Sequence, residues 1–269
     1  MQSTNVLTDI NQPCVFVPTM GALHAGHQSL ISQARELCDE VVVSIFVNPL
    51  QFEDKDDLAR YPHTPEIDER LAKEAGATIL WRPEYKTIYP DEIIKISAGE
   101  LGTRFEGVHR QGHFDGVLTV VNRLFDLVKP RYAIFGEKDF QQLFLIKKMT
   151  TQLHPDIEII SAPTVREESG LAMSSRNVRL NQQARVSAEL LNQALFSASE
   201  ASSITKAKIE LAKLSSITGF TLDYAEIIDE ESFEVADSET TQPRAIIAGW
   251  IDGVRLIDNM AMKSALVRV

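Results

Sequence analysis

Apolar residues along the chain fall into two kinds of run that alternate. Short β-branched stretches, Val15-Phe16-Val17-Pro18-Thr19 and Val41-Val42-Val43-Ser44-Ile45-Phe46-Val47, read as buried strands. Between them Leu30, Ile31, Ala34, Leu37 and Cys38 recur at helical spacing. The same alternation continues with a helix over residues 65–75, a strand at Thr78-Ile79-Leu80-Trp81, and a helix over 114–128. In that helix Val117, Val120, Val121, Leu124 and Val128 share one side. Tyr132-Ala133-Ile134-Phe135 is the next strand, Asp139 opens another helix, and Ile157-Glu158-Ile159-Ile160 closes the series. Strands alternating with helices imply right-handed crossovers and a mostly parallel sheet covered on both faces. The expected fold is α/β: a Rossmann-like doubly wound parallel sheet, with ligands at the carboxyl ends of its strands.

The pattern changes after Leu180. Two helical stretches, over 182–199 and 205–214, precede strands over 221–228 and 244–250, and Gly253 turns the chain into Arg255-Leu256-Ile257. Helices followed by clustered strands predict a second, smaller α+β C-terminal domain with an antiparallel sheet. The expected division is 1–178 for ligand binding and 179–269 as a small lid domain.

Composition narrows the possible functions. The chain has 269 residues, 44% hydrophobic, enough for one large or two modest cores. Its net charge of −11 disfavours a nucleic-acid partner, which calls for a basic face to replace phosphate counterions. Its two cysteines, Cys14 and Cys38, lack C-x-x-C spacing, which argues against a structural zinc site and fits reduced thiols. No apolar run approaches the roughly 20 residues of a membrane span. The start, MQSTNVLTDI, lacks the basic and apolar regions of a signal peptide. A cytoplasmic protein is the expectation.

Three segments carry chemistry. Met20-Gly21-Ala22-Leu23-His24-Ala25-Gly26-His27 joins a buried strand to a helix and contains H-x-G-H. Backbone N–H groups near a helix N-terminus favour anions, and imidazoles three residues apart can face one phosphate. The same pair could instead hold a metal or simply occupy a turn. Gly136-Glu137-Lys138-Asp139-Phe140-Gln141-Gln142 is a second strand-to-helix junction. Lys138 can meet polyphosphate and Asp139 can accept from ribose hydroxyls, while a capping box between Asp139 and Gln142 is the structural alternative. Met173-Ser174-Ser175-Arg176-Asn177 offers hydroxyls, N–H groups and an arginine to β- and γ-phosphates, though such loop composition is common. Beside these, Asn48-Pro49-Leu50-Gln51-Phe52 ends the second strand with amides suited to a small hydroxy acid, or to an ordinary turn.

Together these segments closely resemble the pantothenate synthetase (pantoate–β-alanine ligase) family of H-x-G-H nucleotidyltransferases, related to class I aminoacyl-tRNA synthetases. The resemblance covers nearly the whole chain and includes Arg60-Tyr61-Pro62, Gly112-His113-Phe114-Asp115-Gly116-Val117, Gly170 through Asn177, and Arg255-Leu256-Ile257-Asp258-Asn259. It implies attack of the D-pantoate carboxylate on the α-phosphorus of Mg-ATP, release of pyrophosphate, and capture of the acyl-adenylate by β-alanine. It further implies that Met20 through His27 form the first ATP loop, with His27 as proton donor and His24 at the phosphates. By the same resemblance Gly136, Glu137, Lys138 and Asp139 would hold ribose and phosphates, Val165 the adenine, and Met173, Ser174, Ser175 and Arg176 the polyphosphate. Gln51 would contact pantoate and β-alanine and Gln142 pantoate, with Asn48 a further candidate for the acid from the amide-rich turn, and Asp68 is a candidate Mg²⁺ ligand. A homodimer is the implied assembly. Ala25, Gln28, Ser169 and His63 depart from the family pattern, at positions that bear on affinity more than activity.

Two rivals remain at this level. A dinucleotide-forming adenylyltransferase would need a second phosphate-bearing substrate, and no basic cluster accompanies Asn48, Gln51 and Gln142. A non-catalytic nucleotide-binding protein would have no need of intact His24, His27, Lys138 and Arg176.

Overall fold

The computed structural model describes residues 1–8, 10–53 and 55–263. By contacts the chain divides into two units, Met1–Glu137 with Gln141–Pro163, and Lys138–Phe140 with Thr164–Val269.

The first unit is built on a six-stranded sheet. Its elements run β1 (Gln2–Thr4), β2 (Cys14–Thr19), α1 (Ala25–Leu37), β3 (Glu40–Ile45), α2 (Lys55–Ala59), α3 (Pro65–Glu74), β4 (Ile79–Trp81), α4 (Tyr85–Ile88), α5 (Glu106–His109), α6 (His113–Val128), β5 (Tyr132–Gly136), α7 (Phe140–Leu153, its first residue grouped with the second unit) and β6 (Glu158–Ala162). The strand order is β1-β4-β3-β2-β5-β6, and every pair is parallel. Successive strands first build outward from β2 through β3 to β4. The chain then returns to β2's other edge with β5, so the direction of winding reverses between β2 and β5. In doubly wound sheets such a reversal marks the ligand side, at the carboxyl ends where Thr19 and Gly136 lie.

Period-two alternation along β2 explains why both faces are covered. Val15 and Val17 belong to one core with Ile31 and Ala34 of α1, Val41, Val43, Leu80 and Ile134. Phe16 points the other way and meets Phe125 of α6 edge-on, with ring centroids 6.4 Å apart. The apolar side expected for α6 is buried throughout: Val117, Val120, Val121, Leu124 and Val128. Burying one such side chain contributes about 2 kcal/mol, so these two cores outweigh any local propensity.

The sequence pattern did not announce β1. Gln2-Ser3-Thr4 has no apolar alternation, and the strand forms by extending the sheet edge against β4. Arg82 N–H donates to the Thr4 carbonyl at 2.8 Å, and the Trp81 indole donates to the Asn5 carbonyl at 3.2 Å.

The second unit contains α8 (Gln182–Ser199), α9 (Ile204–Ala212), and the antiparallel sheet β7 (Phe220–Asp229), β8 (Pro243–Ile251), β9 (Val254–Ala261) in that spatial order. Leu191 and Leu195 of α8, Leu211 of α9, and Ile227, Ile247 and Leu256 of the sheet share its core. Asn181 caps α8, its side chain accepting from Ala184 N–H at 2.9 Å. The parallel sheet and the small antiparallel one are the architecture the hydrophobic pattern predicts. Among the described residues, no helix is long and apolar enough to cross a membrane.

Candidate active site

The loop after β2 is held in an uncommon shape by a buried carboxylate. Gly21 and Ala22 both have positive φ, 81° and 50°. A Cβ on Gly21 would sit 3.0 Å from Asp68 Oδ2 and 3.1 Å from Ile45, so glycine alone fits. Ala22 carries a left-handed penalty of about 1–2 kcal/mol. Asp68, 2% exposed, offsets it: Oδ2 accepts from Ala22 N–H at 3.1 Å and Oδ1 from Leu23 N–H at 2.8 Å. The Thr64 hydroxyl also donates to Oδ1, at 3.0 Å. Charge-assisted bonds of this kind are about twice as strong as neutral ones.

This arrangement bears on two expectations. Mg²⁺ takes octahedral oxygen ligands and keeps several waters. Asp68 meets three protein donors and is nearly inaccessible, a setting that suits a pin of the loop better than a Mg²⁺ ligand. The second expectation concerns the loop amides. Gly21 N–H donates to Thr19 Oγ1, and those of Ala22 and Leu23 go to Asp68. His24 and Gly26 N–H groups are also bonded within the loop, so these five amides are engaged and two side chains stand beside them as candidates for anion recognition.

Those side chains are His24 and His27. His24 is the N-cap of α1, and its Nδ1 accepts from Gly26 N–H at 3.1 Å. His27, three residues on, accepts His24 N–H at its own Nδ1, 3.3 Å away. The pair therefore forms a capping box in which imidazoles replace the usual hydroxyl and carboxylate. A ring whose Nδ1 accepts carries its N–H on Nε2, so both histidines are set as Nε2 donors. The ring centroids lie 4.1 Å apart at 47°, at the positive end of the helix dipole.

The Asn48–Gln51 segment is equally organised. Pro49–Gln51 is a 3₁₀ turn capped by Asn48, whose Oδ1 accepts from Leu50 N–H at 3.3 Å. Asn48 is fully buried, and its Nδ2 donates to Gln51 Oε1 at 3.2 Å and to the Gly116 carbonyl at 3.0 Å. The Tyr89 hydroxyl donates to Asn48 Oδ1 at 3.0 Å. Burial, aided by nearby Tyr85, pushes the Tyr89 phenol above its ordinary range and keeps it a donor. Asn48 thus uses all its bonding capacity inside the fold. It orients Gln51 where the sequence suggested a ligand contact.

Gln51 Nε2 approaches Met20 Sδ at 3.1 Å, joining this turn to the first loop. Two residues of the Gly112–Val117 segment support it. His113, buried, donates from Nδ1 to the Gln51 carbonyl at 2.8 Å. Gly116 lets the turn lie on α6, since a Cβ there would meet the Leu50 carbonyl oxygen at 2.3 Å. His113, Gly116 and Tyr89 had no assigned role from sequence. The repeated glycine flanking a histidine in G-H-F-D-G was the available signal.

Gly136 ends β5 and Glu137 opens the 3₁₀ turn after it, at the same end of the sheet. Gln142 is half-buried on the first turn of α7, and its side chain hydrogen-bonds to no other described residue. It therefore does not complete the capping box that sequence offered for Asp139. Its neighbour Gln141 is the structural amide, donating to the Leu101 and Arg104 carbonyls and accepting from Glu106 N–H.

The remaining candidates belong to the second unit. Lys138 Nζ lies 3.7 Å from Asp139 Oδ1. Val165 accepts Met173 N–H at 2.9 Å, and Arg166 bridges to Ala172, so Val165 and Met173 close the ends of a narrow hairpin. Ser174 Oγ accepts Arg176 N–H at 3.2 Å. Asn177, 3% exposed, donates to the Ala172 carbonyl and to Glu167, which Arg185 also engages. Asn177 and Glu167 thereby fix the loop that carries Ser174, Ser175 and Arg176.

Comparison with known proteins bears on the chain as a whole. The family model described as pantoate-beta-alanine ligase matches residues 2–261. The pantothenate synthetase of Acidothermus cellulolyticus is 47% identical over 262 residues, covering 94% of this chain and 86% of that protein. That of Thermobifida fusca is 42% identical, covering 92% and 88%. Among solved structures, pantothenate synthetase from Thermus thermophilus superposes with a TM-score of 0.90 at 39% identity, over 97% of this chain and 99% of that one. Pantoate-beta-alanine ligase from Francisella tularensis, in complex with beta-gamma ATP and beta-alanine, gives a TM-score of 0.78 at 37% identity, over 94% and 91%.

Proposed function

The chain belongs to the pantoate-beta-alanine ligase family, and on that premise we propose how its residues divide the family's reaction. The enzyme condenses D-pantoate with β-alanine in two steps. The pantoate carboxylate attacks the α-phosphorus of ATP, the bond to the β-phosphate oxygen breaks, and pyrophosphate leaves. The β-alanine amine then attacks the acyl carbon of pantoyl adenylate, giving pantothenate and AMP.

Attack of one anion on another calls above all for charge neutralisation and alignment. The observation that carries the assignment of roles is the His24–His27 capping box. It supplies two oriented Nε2–H donors at a helix N-terminus, the place where developing negative charge on departing pyrophosphate is best met. We assign Met20–His27 to ATP, with His27 acting as a donor that stabilises charge. Gly136–Asp139, Val165 and Met173–Arg176 are assigned to ATP as well, Lys138 and Arg176 supplying full positive charge. Gln51 and Gln142 are assigned to pantoate and β-alanine. Mg²⁺ would enter as part of the Mg-ATP substrate, where it would neutralise triphosphate charge.

Exchange of labelled pyrophosphate into ATP tests these roles. Exchange requires pantoate but no β-alanine, and falls by about a hundredfold or more in His24→Ala and His27→Ala. Exchange at the wild-type rate in both variants would remove the histidines from the chemistry.

A cytoplasmic homodimer completes the proposal. The family likeness and the free thiols of Cys14 and Cys38 support it. Sedimentation at twice the 30.0 kDa chain mass is the expected result, and a species at the chain mass overturns it.

A further inference from the structure

The Arg255–Asn259 segment has no part in the reaction as described so far, yet two of its residues are tied to segments assigned to ATP. Asn259, 4% exposed on β9, donates from Nδ2 to the Lys138 backbone carbonyl at 2.9 Å. Its Oδ1 accepts from Arg244 Nη1 at 2.6 Å. Arg244 in turn lies 3.9 Å above the centroid of the Phe140 ring and is paired with Glu230 through Nε at 2.7 Å. Phe140 stacks on buried Phe233 at 6.0 Å. The Lys138–Phe140 segment is therefore held at both ends, by a hydrogen bond to its first carbonyl and by a guanidinium on its last ring.

Asp258, beside Asn259 and 5% exposed, does the same for the other ATP segment. It takes both Nη groups of Arg166 in a two-pronged pair, at 2.7 and 3.0 Å. Arg166 also donates to the Gly170 carbonyl at 3.0 Å and to the Asn259 carbonyl at 3.2 Å. Arg166 is the first residue of the hairpin that ends at Ala172, next to Val165 and just before Met173–Arg176. Planar two-pronged pairing fixes orientation as well as distance, which a single lysine contact would not.

We propose that Asp258 and Asn259 are positioning residues for ATP. Adjacent on one strand, they set the placement of the Lys138 main chain and of the hairpin leading to Ser174, Ser175 and Arg176. A lysine ammonium rides on a flexible four-carbon stem, so where its backbone is anchored decides which phosphate oxygens it reaches. Displacement of such an anchor by about 1 Å costs on the order of a hundredfold in rate. This inference rests on the assignment of Lys138 and Met173–Arg176 to ATP.

The test is steady-state kinetics on the full chain, varying ATP, pantoate and β-alanine separately, for Asn259→Asp, Asp258→Asn and Lys138→Ala. Asn259→Asp keeps an acceptor toward Arg244 and replaces the donor to Lys138 with a carboxylate oxygen that repels its carbonyl. Asp258→Asn keeps the shape and removes the charge facing Arg166, and it serves if the first variant does not fold. The expected result is a rise of about tenfold or more in KM for ATP in both, with KM for pantoate and β-alanine within about twofold of wild type. A loss confined to the active fraction, with KM for ATP unchanged, would mean that the two residues only stabilise the fold and overturns the proposal. If Lys138→Ala leaves KM for ATP unchanged, the assignment of Lys138 to ATP fails first. A raised KM in Lys138→Ala without one in the other two variants overturns the positioning role alone.

Discussion

Replacing Asp68 with asparagine separates a loop pin from a metal ligand. In the wild type, Oδ2 accepts Ala22 N–H while Oδ1 accepts Leu23 N–H and the Thr64 hydroxyl. Asparagine can keep its oxygen toward Leu23 and Thr64, which turns its NH₂ toward Ala22 N–H. One charge-assisted bond is then replaced by two opposed donors in a site 2% exposed. A hydrogen bond to a charged group contributes about 1.5–3 kcal/mol, and an orphaned buried donor costs about 1–3 kcal/mol. A local loss of about 2 kcal/mol is a conservative reading, because the chain can relax Ala22 out of its left-handed conformation. That corresponds to roughly thirtyfold in the equilibrium for opening the loop. Hydrogen exchange followed by mass spectrometry on peptides spanning residues 20–27 reads this directly. Exchange at Ala22 and Leu23 should accelerate by about that factor while peptides from α8 are unchanged. Unaltered protection in the loop, together with a raised Mg²⁺ requirement for turnover, would refute the reasoning and restore Asp68 as a metal ligand.

Other substitutions probe neighbouring parts of the site. His24→Asn retains a good N-cap, so stability should stay within about 0.5 kcal/mol of wild type while pantoate-dependent pyrophosphate release drops about a hundredfold; His24→Ala should lose about 1 kcal/mol as well. Gly116→Ala forces a Cβ against the Leu50 carbonyl and displaces the Gln51 turn. KM for pantoate should rise with little change in KM for ATP, and stability should fall by about 1–3 kcal/mol in thermal melts. Tyr89 has a folded pKa raised above its ordinary 10.0 by burial, so the stability from its bond to Asn48 is complete below that value. It is lost as pH rises through the folded pKa, and an alkaline absorbance titration should show one late phenol that disappears in Tyr89→Phe.

The hydrophobic pattern was enough to read the layers, because period two along β2 and helical spacing along α6 are imposed by burial on the sheet's two faces. It missed β1, where a polar tripeptide gains strand structure only from the edge it joins. The histidine pair was legible as chemistry but not as a cap, since imidazoles rarely fill that role. What sequence could not reveal was which polar groups the fold uses up itself. Asp68 meets Leu23 across 45 positions, and His113 meets Gln51 across 62. Nothing local to Asn48 distinguishes an amide that binds a ligand from one wholly engaged by Tyr89, Gln51 and Gly116.

The central claim is that this chain makes an amide from two small substrates by way of an adenylate. The most direct measurement follows AMP, pyrophosphate and pantothenate together in reactions of Mg-ATP with pantoate, with and without β-alanine. The account predicts sustained turnover only with both substrates, with the three products in equal amounts. Pyrophosphate release that is indifferent to pantoate, or none with either combination, would contradict it.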